Sequence, residues 1–306
     1  MSKQLFACVD LGTNTFHLLI GHWTNGKLEV VYRERHFVKV AGDGIETIGP
    51  EPIKRAINAA TSLGASLAKY EVVTAAAFGT AAMRTATNGP ALKKDLEQQL
   101  GIPIQIIDGK REAALIANGV LAAGLPVDER YVIMDIGGGS VEFIVVDNGE
   151  TRFSESYPIG AQVLRQAFHK DEPLRGKSSS DQEDSLFAHL ASTLANLKAA
   201  IGSGAKLVGA SGTFDVLGDL FGEPVTTAVK RLSASKVHAL YEEAAIMNET
   251  DRLSDDRLPD DRADMIVVAL ALIVYVLRIC PQESIYTCDY ALKEGALLEM
   301  ATANAL

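Results

Sequence analysis

The sequence predicts an α/β protein built from two similar halves. Three observations predict it. Residues 10–20 read DLGTNTFHLLI and residues 135–145 read DIGGGSVEFIV, two matched stretches 125 residues apart. Each follows a short apolar run and ends in a turn-like step, Thr24-Asn25-Gly26 or Asp147-Asn148-Gly149. Asn-Gly between strand patterns signals a hairpin, so each half opens as a three-stranded meander. Behind each meander, strand patterns alternate with helical periodicity, as in α/β domains.

The elements follow in order. The first half predicts strands over 5–9 and 15–20, a third strand over 27–40, and a helix over 51–70. A strand over 72–78, a helix over 91–100, a strand over 104–107 and a helix over 111–123 complete it. The second half predicts strands over 131–134, 141–145 and 150–158, then helices over 161–168 and 180–201. A strand over 206–209 leads into a helix from Phe214. Helices over 233–247 and 261–280, a strand over 284–288 and a helix over 292–303 end the chain. Segment 248–260 is charged and turn-rich and predicts a loop. The boundary falls near Leu125-Pro126, giving domains 1–125 and 126–306.

Composition narrows the function. With 306 residues, 47% hydrophobic and 22% charged, the chain is an ordinary globule, not a disordered tail, fibre or disulfide scaffold. Its length fits two cores. Twenty-nine Lys and Arg stand against 39 Asp and Glu, a net charge of −10. This argues against double-stranded nucleic acid as a partner. A small polyanion stays open, since a few cations and backbone N–H groups hold phosphate. Three cysteines without metal spacing, and no signal-peptide pattern, fit the cytoplasm. The apolar run over 265–277 is shorter than the ~20 residues of a membrane span and predicts a buried core helix. The apolar second half points to a homodimer.

The glycine turns are the first sign of chemistry. Gly12, Gly137, Gly138 and Gly139 permit positive φ and close approach of a ligand to the backbone. Successive N–H groups there can form an anion nest, with Thr13, Thr15 and Ser140 adding hydroxyls. Asp10 and Asp135, at strand ends, are placed to hold a divalent cation directly or through water. Either turn alone reads equally well as a plain hairpin loop; two matched copies make that reading poor. A third glycine turn, VGASGTFDVL over 208–217, runs from strand to helix and aims N–H groups outward.

These residues resemble the actin-like ATPase (ribonuclease H-like) superfold, with two similar domains flanking an interdomain cleft. The finer resemblance is to the exopolyphosphatase/guanosine pentaphosphatase (Ppx/GppA) family. It rests on DLGTNTFHLLI, FGTAAMRTATNG at 78–89, IIDGKREAALIANG at 106–119, DIGGGSVEF at 135–143 and GASGT at 209–213, in family order. The resemblance implies a hydrolase that removes the terminal phosphate of linear polyphosphate or of pppGpp, aided by Mg²⁺ or another divalent cation. Members often carry a further C-terminal helical region.

Roles follow residue by residue. Glu112 matches the second glutamate of the family's Gly-x-Glu-Glu-Ala motif and is the candidate catalyst, orienting water or accepting its proton. Without the resemblance, it reads as a carboxylate favoured at a helix N-terminus. Position 111 is Arg where the family has glutamate; it binds substrate or is a surface residue. Arg84 matches the family's phosphate-contacting arginine, a task that suits a planar guanidinium. Asn88 is expected to support the turn after it. Asp135 and Glu142 are the cation holders, with Asp10 as a water-mediated partner. Thr13, Asn14, Thr15, Gly137, Gly138, Gly139, Ser140, Ser211 and Gly212 are the substrate-binding candidates. His17 reads as a core histidine without chemistry. Lys39 stands where many members carry Arg, and Lys293-Glu294-Gly295 is similar to a family Arg-Glu-Gly whose first residue attracts phosphate or caps a helix.

The leading expectation is exopolyphosphatase action, with pppGpp hydrolysis beside it. A small-molecule kinase on the same superfold would need an acceptor site with its own carboxylate. A non-hydrolytic sensor of polyphosphate or alarmone would bind without turnover. Retention of Glu112, Asp135 and Glu142 argues against the sensor, and fold alone does not decide.

Overall fold

A computed structural model describes residues 4–24, 26–42, 44–169, 173–176 and 181–304. Position 25 of the first expected turn and position 180 of the expected helix lie outside the described residues. The chain divides into two units: one of residues 1–122, 137–139 and 290–306, the other of residues 123–136 and 140–289.

Unit 1 opens with β1 (Leu5–Leu11), β2 (Thr15–Thr24) and β3 (Lys27–Phe37), a meander paired antiparallel. It continues through α1 (Pro50–Leu67), β4 (Val72–Gly79), α2 (Ala81–Thr85), α3 (Gly89–Leu100), β5 (Ile104–Ile106) and α4 (Gly109–Ala122). The sheet order is β3-β2-β1-β4-β5, with β4 parallel to both of its neighbours. Pro50 and Pro52 start α1 where no N–H is needed, and Ala56, Ala60, Leu63 and Leu67 form its buried stripe. Leu92, Leu96 and Leu100 do the same for α3, which Gly101 ends at φ 74°.

Unit 2 repeats the plan. β6 (Arg130–Ile136), β7 (Val141–Asp147) and β8 (Glu150–Tyr157) form the antiparallel meander. Then come α5 (Ala161–Phe168), α6 (Gln182–Thr193), α7 (Leu197–Ile201), β9 (Lys206–Ala210), α8 (Gly212–Phe221), β10 (Glu223–Pro224), β11 (Val229–Ser233), α9 (Ala234–Ile246), α10 (Glu249–Leu253), α11 (Ile266–Ile279) and β12 (Ser284–Cys288). The order β8-β7-β6-β9-β12 matches that of unit 1, and β11 and β10 extend it past β12. The expected actin-like α/β fold is therefore present in both halves. α11 is buried from Ile266 through Val274 and is the core helix the sequence predicts.

Several expectations need correction. The last helix, α12 (Leu292–Ala303), groups with unit 1, not with the second domain, because it packs on α4. The single helix over 180–201 is two, yet Leu186, Leu190, Leu194, Leu197 and Ile201 all stay buried across the break. That continuous spacing hides the break. The loop over 248–260 contains α10, started by a reciprocal cap between Asn248 and Asp251. β11 was not foreseen; only Val229 and Leu232 are buried in it, between charged neighbours. α2 was not foreseen either, and it carries Arg84.

Candidate active site

In unit 1, β4 ends at Gly79 and the chain turns into α2, which presents Arg84 in its last turn. β5 ends at Ile106 and leads into α4, which presents Glu112 in its first turn. Arg84 Nη1 donates to Ile107 O at 2.7 Å and to Glu112 Oε2 at 3.0 Å. Glu112 is 7% exposed, so the carboxylate is shielded from water, while the Arg84 side chain stays partly open to it. Two residues 28 positions apart, chosen separately in the sequence, form one group.

The first glycine turn is tightly pinned. Gly12 N–H donates to Thr15 O, Val38 and Lys39 N–H donate to Asn14 O, and Val40 N–H donates to Thr13 O. Lys39 takes φ 43° to make its bond, so the segment around it is a strap over the turn. Thr13 and Thr15 are buried. None of Gly12, Gly137, Gly138 and Gly139 uses the positive φ that glycine permits. Glycine is needed there for closeness: a Cβ at Gly138 would stand 2.5 Å from Asn14 Nδ2, and one at Gly139 2.8 Å from the Ala81 Cβ. Asn88 does not cap α3 with its side chain. Its amide instead accepts from Ile48 N–H at 2.9 Å and donates to Ile48 O at 2.8 Å.

In unit 2, Asp135 on β6 faces Glu142 on β7 in register, and both are buried. Directly opposed residues place their Cβ atoms about 4.5–5.5 Å apart. Glu142 Oε1 accepts from Ser140 Oγ at 2.7 Å and from Ser156 Oγ at 2.6 Å. Ser140 thus spends its only hydroxyl proton on Glu142, and toward any other ligand it presents lone pairs. Among the described residues no cluster of three or more His, Cys, Asp or Glu forms a metal cage. Two adjacent carboxylates nevertheless match Mg²⁺, which uses one or two and completes its shell with water and phosphate oxygens.

The third turn differs from the first two. Ser211 holds φ 68° and ψ 169°, a region that glycine almost alone occupies. A Cβ on Gly212 would overlap the Arg262 guanidinium, so that cation lies against the start of α8. Arg262 was missed. The only signal for it was an arginine at the edge of a predicted helix, within a turn now seen to be fixed by Pro259 O.

The remaining candidates have structural contacts of their own. Arg111 ion-pairs with Glu299 and so ties α4 to α12, and that contact holds its pKa above the ordinary value. Glu294 caps α12 by accepting Ala291 N–H at 2.9 Å. His17 is half-buried and stands in register with Asp10. Burial first, then the Asp10 charge, push the Cys8 thiol well up, and Lys293 only partly offsets this. Cys8 is therefore no thiolate nucleophile near neutral pH.

A model of the Ppx/GppA phosphatase family matches residues 19–304. The chain belongs to the Ppx/GppA phosphatase family. An exopolyphosphatase structure from Cytophaga hutchinsonii is 32% identical, covers 98% of each chain and superposes with a TM-score of 0.90. The Ppx/GppA family member from Aquifex aeolicus, 20% identical with 99% of each chain covered, superposes at 0.82 and shares the fold. A guanosine-5'-triphosphate,3'-diphosphate pyrophosphatase of Vibrio parahaemolyticus is 26% identical over 98% of this chain. The chain spans 60% of the length of that relative. No described helix is long and apolar enough to cross a membrane.

Proposed function

We propose that this chain hydrolyses the terminal phosphoanhydride of linear polyphosphate and releases orthophosphate. The observation that carries the reading is the pairing of Arg84 with the buried Glu112. The guanidinium binds a terminal phosphate oxygen, and the carboxylate beside it orients a water toward phosphorus. The water oxygen bonds to phosphorus and the bridging P–O bond breaks. Its electron pair leaves with the shortened chain, and the water's proton passes to Glu112 and on to solvent. Positioning and charge stabilisation suffice for such a transfer, so Glu112 need not be a strong base. Asn14, Thr13 and Thr15, with Gly137, Gly138 and Gly139, form the phosphate-facing turns; Ser211 and Gly212 with Arg262 form a further one.

Asp135 and Glu142 are the candidate holders of a divalent cation. Such an ion, when bound, neutralises phosphate charge. The support is the side-by-side placement of two buried carboxylates, whose repulsion a cation relieves. The three free, buried cysteines suit a reducing cytoplasm.

Polyphosphate is favoured by full-length similarity to the Cytophaga exopolyphosphatase. A second reading, pppGpp hydrolysis, is favoured by the Vibrio relative's name. The test is orthophosphate release from long-chain polyphosphate, pppGpp and ATP with Mg²⁺, for the wild type and Glu112→Gln. Release that is lost in the variant supports the hydrolase, and the preferred substrate separates the two readings. Binding without release from any of the three would replace hydrolase with sensor.

A further inference from the structure

Across the three meander strands of unit 2, Asp135, Glu142 and Ser156 stand in one register row. Opposed residues share a face of the sheet, so a carboxylate, a second carboxylate and a hydroxyl sit side by side. Ser156 was not singled out by any sequence motif. Its Oγ lies 2.6 Å from Glu142 Oε1, the distance of a hydroxyl donating to a charged carboxylate. Ser140 approaches the same oxygen at 2.7 Å from the turn.

We propose that Ser156 is a positioning residue for Glu142, fixing which carboxylate oxygen meets a divalent cation. This rests on the reading that Asp135 and Glu142 hold that cation. A carboxylate oxygen offers two in-plane lone pairs, and a hydroxyl offers one proton. Ser140 and Ser156 together fill Oε1, so a bond from Glu142 to a cation is made by Oε2. Glu142 is 2% exposed, so water cannot substitute readily for a lost hydroxyl.

The duplicated fold supplies a control. The equivalent row of unit 1 is Asp10, His17 and Arg35, read through the same two strand pairings. An imidazole and a guanidinium stand there in place of the second carboxylate and the hydroxyl. The Glu–Ser pairing is therefore not imposed by the meander; it belongs to the half with two adjacent carboxylates.

The test is Mn²⁺ titration of the full chain, with free ion read by electron paramagnetic resonance. Wild type, Ser156→Ala, Ser156→Thr and Glu142→Gln are compared. Loss of a group that orients a metal-holding residue typically weakens affinity about 10- to 100-fold. That loss is expected for Ser156→Ala, with Ser156→Thr keeping most of the affinity, since threonine retains the hydroxyl and suits a strand. Phosphate release by Ser156→Ala should recover at saturating Mn²⁺, which a general packing defect would not allow. Wild-type affinity in Ser156→Ala, with binding lost in Glu142→Gln, would overturn the role of Ser156 and leave the cation reading intact. No Mn²⁺ binding by the wild type, or unchanged binding in Glu142→Gln, would overturn the cation reading and this proposal with it. Should Ser156→Ala fail to fold, Ser156→Cys against Ser156→Thr carries the same comparison, the thiol being the weaker donor.

Discussion

Arg84 Nη1 donates to Glu112 Oε2 at 3.0 Å while also holding Ile107 O at 2.7 Å, so the guanidinium is anchored at both ends of the α4 approach. One side chain thereby positions the carboxylate and stays beside it. Phosphoryl transfer asks the protein chiefly for placement and charge, which is the role proposed for this pair.

The pairing predicts strong coupling between the two residues. Glu112→Gln should lower kcat by about 10²–10⁴, the usual worth of a positioned acid–base group, with little change in KM. Arg84→Ala should raise KM and also lower kcat, because it releases Glu112. The double variant should lose little more than the worse single one, since groups acting as a unit are not additive. Steady-state phosphate release for the four proteins checks this. Fully additive losses would show that the two residues act separately.

Strain at the third turn makes a different prediction. Ser211 sits at φ 68° with extended ψ, which costs a non-glycine residue on the order of 1–3 kcal/mol. Ser211→Gly removes that cost and should raise the melting temperature by several degrees. If the hydroxyl also serves the substrate, phosphate release falls as stability rises, the trade expected of a strained functional turn. Thermal melting and substrate affinity measured together decide it. A lower melting temperature would mean that the Ser211 side chain stabilises the fold more than its backbone strains it.

The helix pair behind Glu112 gives a third prediction. A Cβ on Gly119 would overlap Ala291 O, and one on Gly295 would overlap Leu115 O, so α4 and α12 meet backbone to backbone. Gly295→Ala gains about 0.5–1 kcal/mol of helix propensity but forces the helices apart, at about 1–3 kcal/mol or more. Overpacking wins, and the melting temperature should fall. Because α4 carries Glu112, phosphate release well below the transition should fall too. An unchanged melting temperature would show that α12 shifts without cost.

Much of this was legible because the physics is local. The repeat 10–20 against 135–145 exposed the two meanders, since strand alternation and Asn-Gly turns are written in adjacent residues. Strand 284–288 and helix 292–303 match their observed limits for the same reason. What escaped was set by distant contacts. Nothing near residue 292 announces that α12 packs on α4; only the facing Gly119 and Gly295 say so. Arg84 and Glu112 were each picked out, but their bond was not, because it joins two separate strand-to-helix corners. Ser156 and Arg262 lie outside the matched motifs and became visible only through register and close approach.

Acid should loosen unit 1 through Glu34. This carboxylate on β3 accepts from Ser62 Oγ on α1 at 2.7 Å and Tyr32 OH at 2.9 Å, and His36 Nε2 lies 2.6 Å away. Burial alone would raise its pKa, but Ser66, His36, Ser62 and Tyr32 together outweigh burial and bring it to about 2. A folded-state pKa below the unfolded one means stability that is fully present above about pH 4.5. It is lost as pH falls from there toward 2. Solvent reaches the rim of this cluster, so screening leaves about 1–2 kcal/mol of the shift as stability. Glu34→Gln should therefore be less stable than the wild type at pH 7, and the gap should close on acidification. Urea unfolding midpoints at pH 7, 4.5, 3.5 and 2.5 for both proteins provide the measurement. Parallel curves across that range would mean that the hydroxyl cluster does not hold Glu34 ionised.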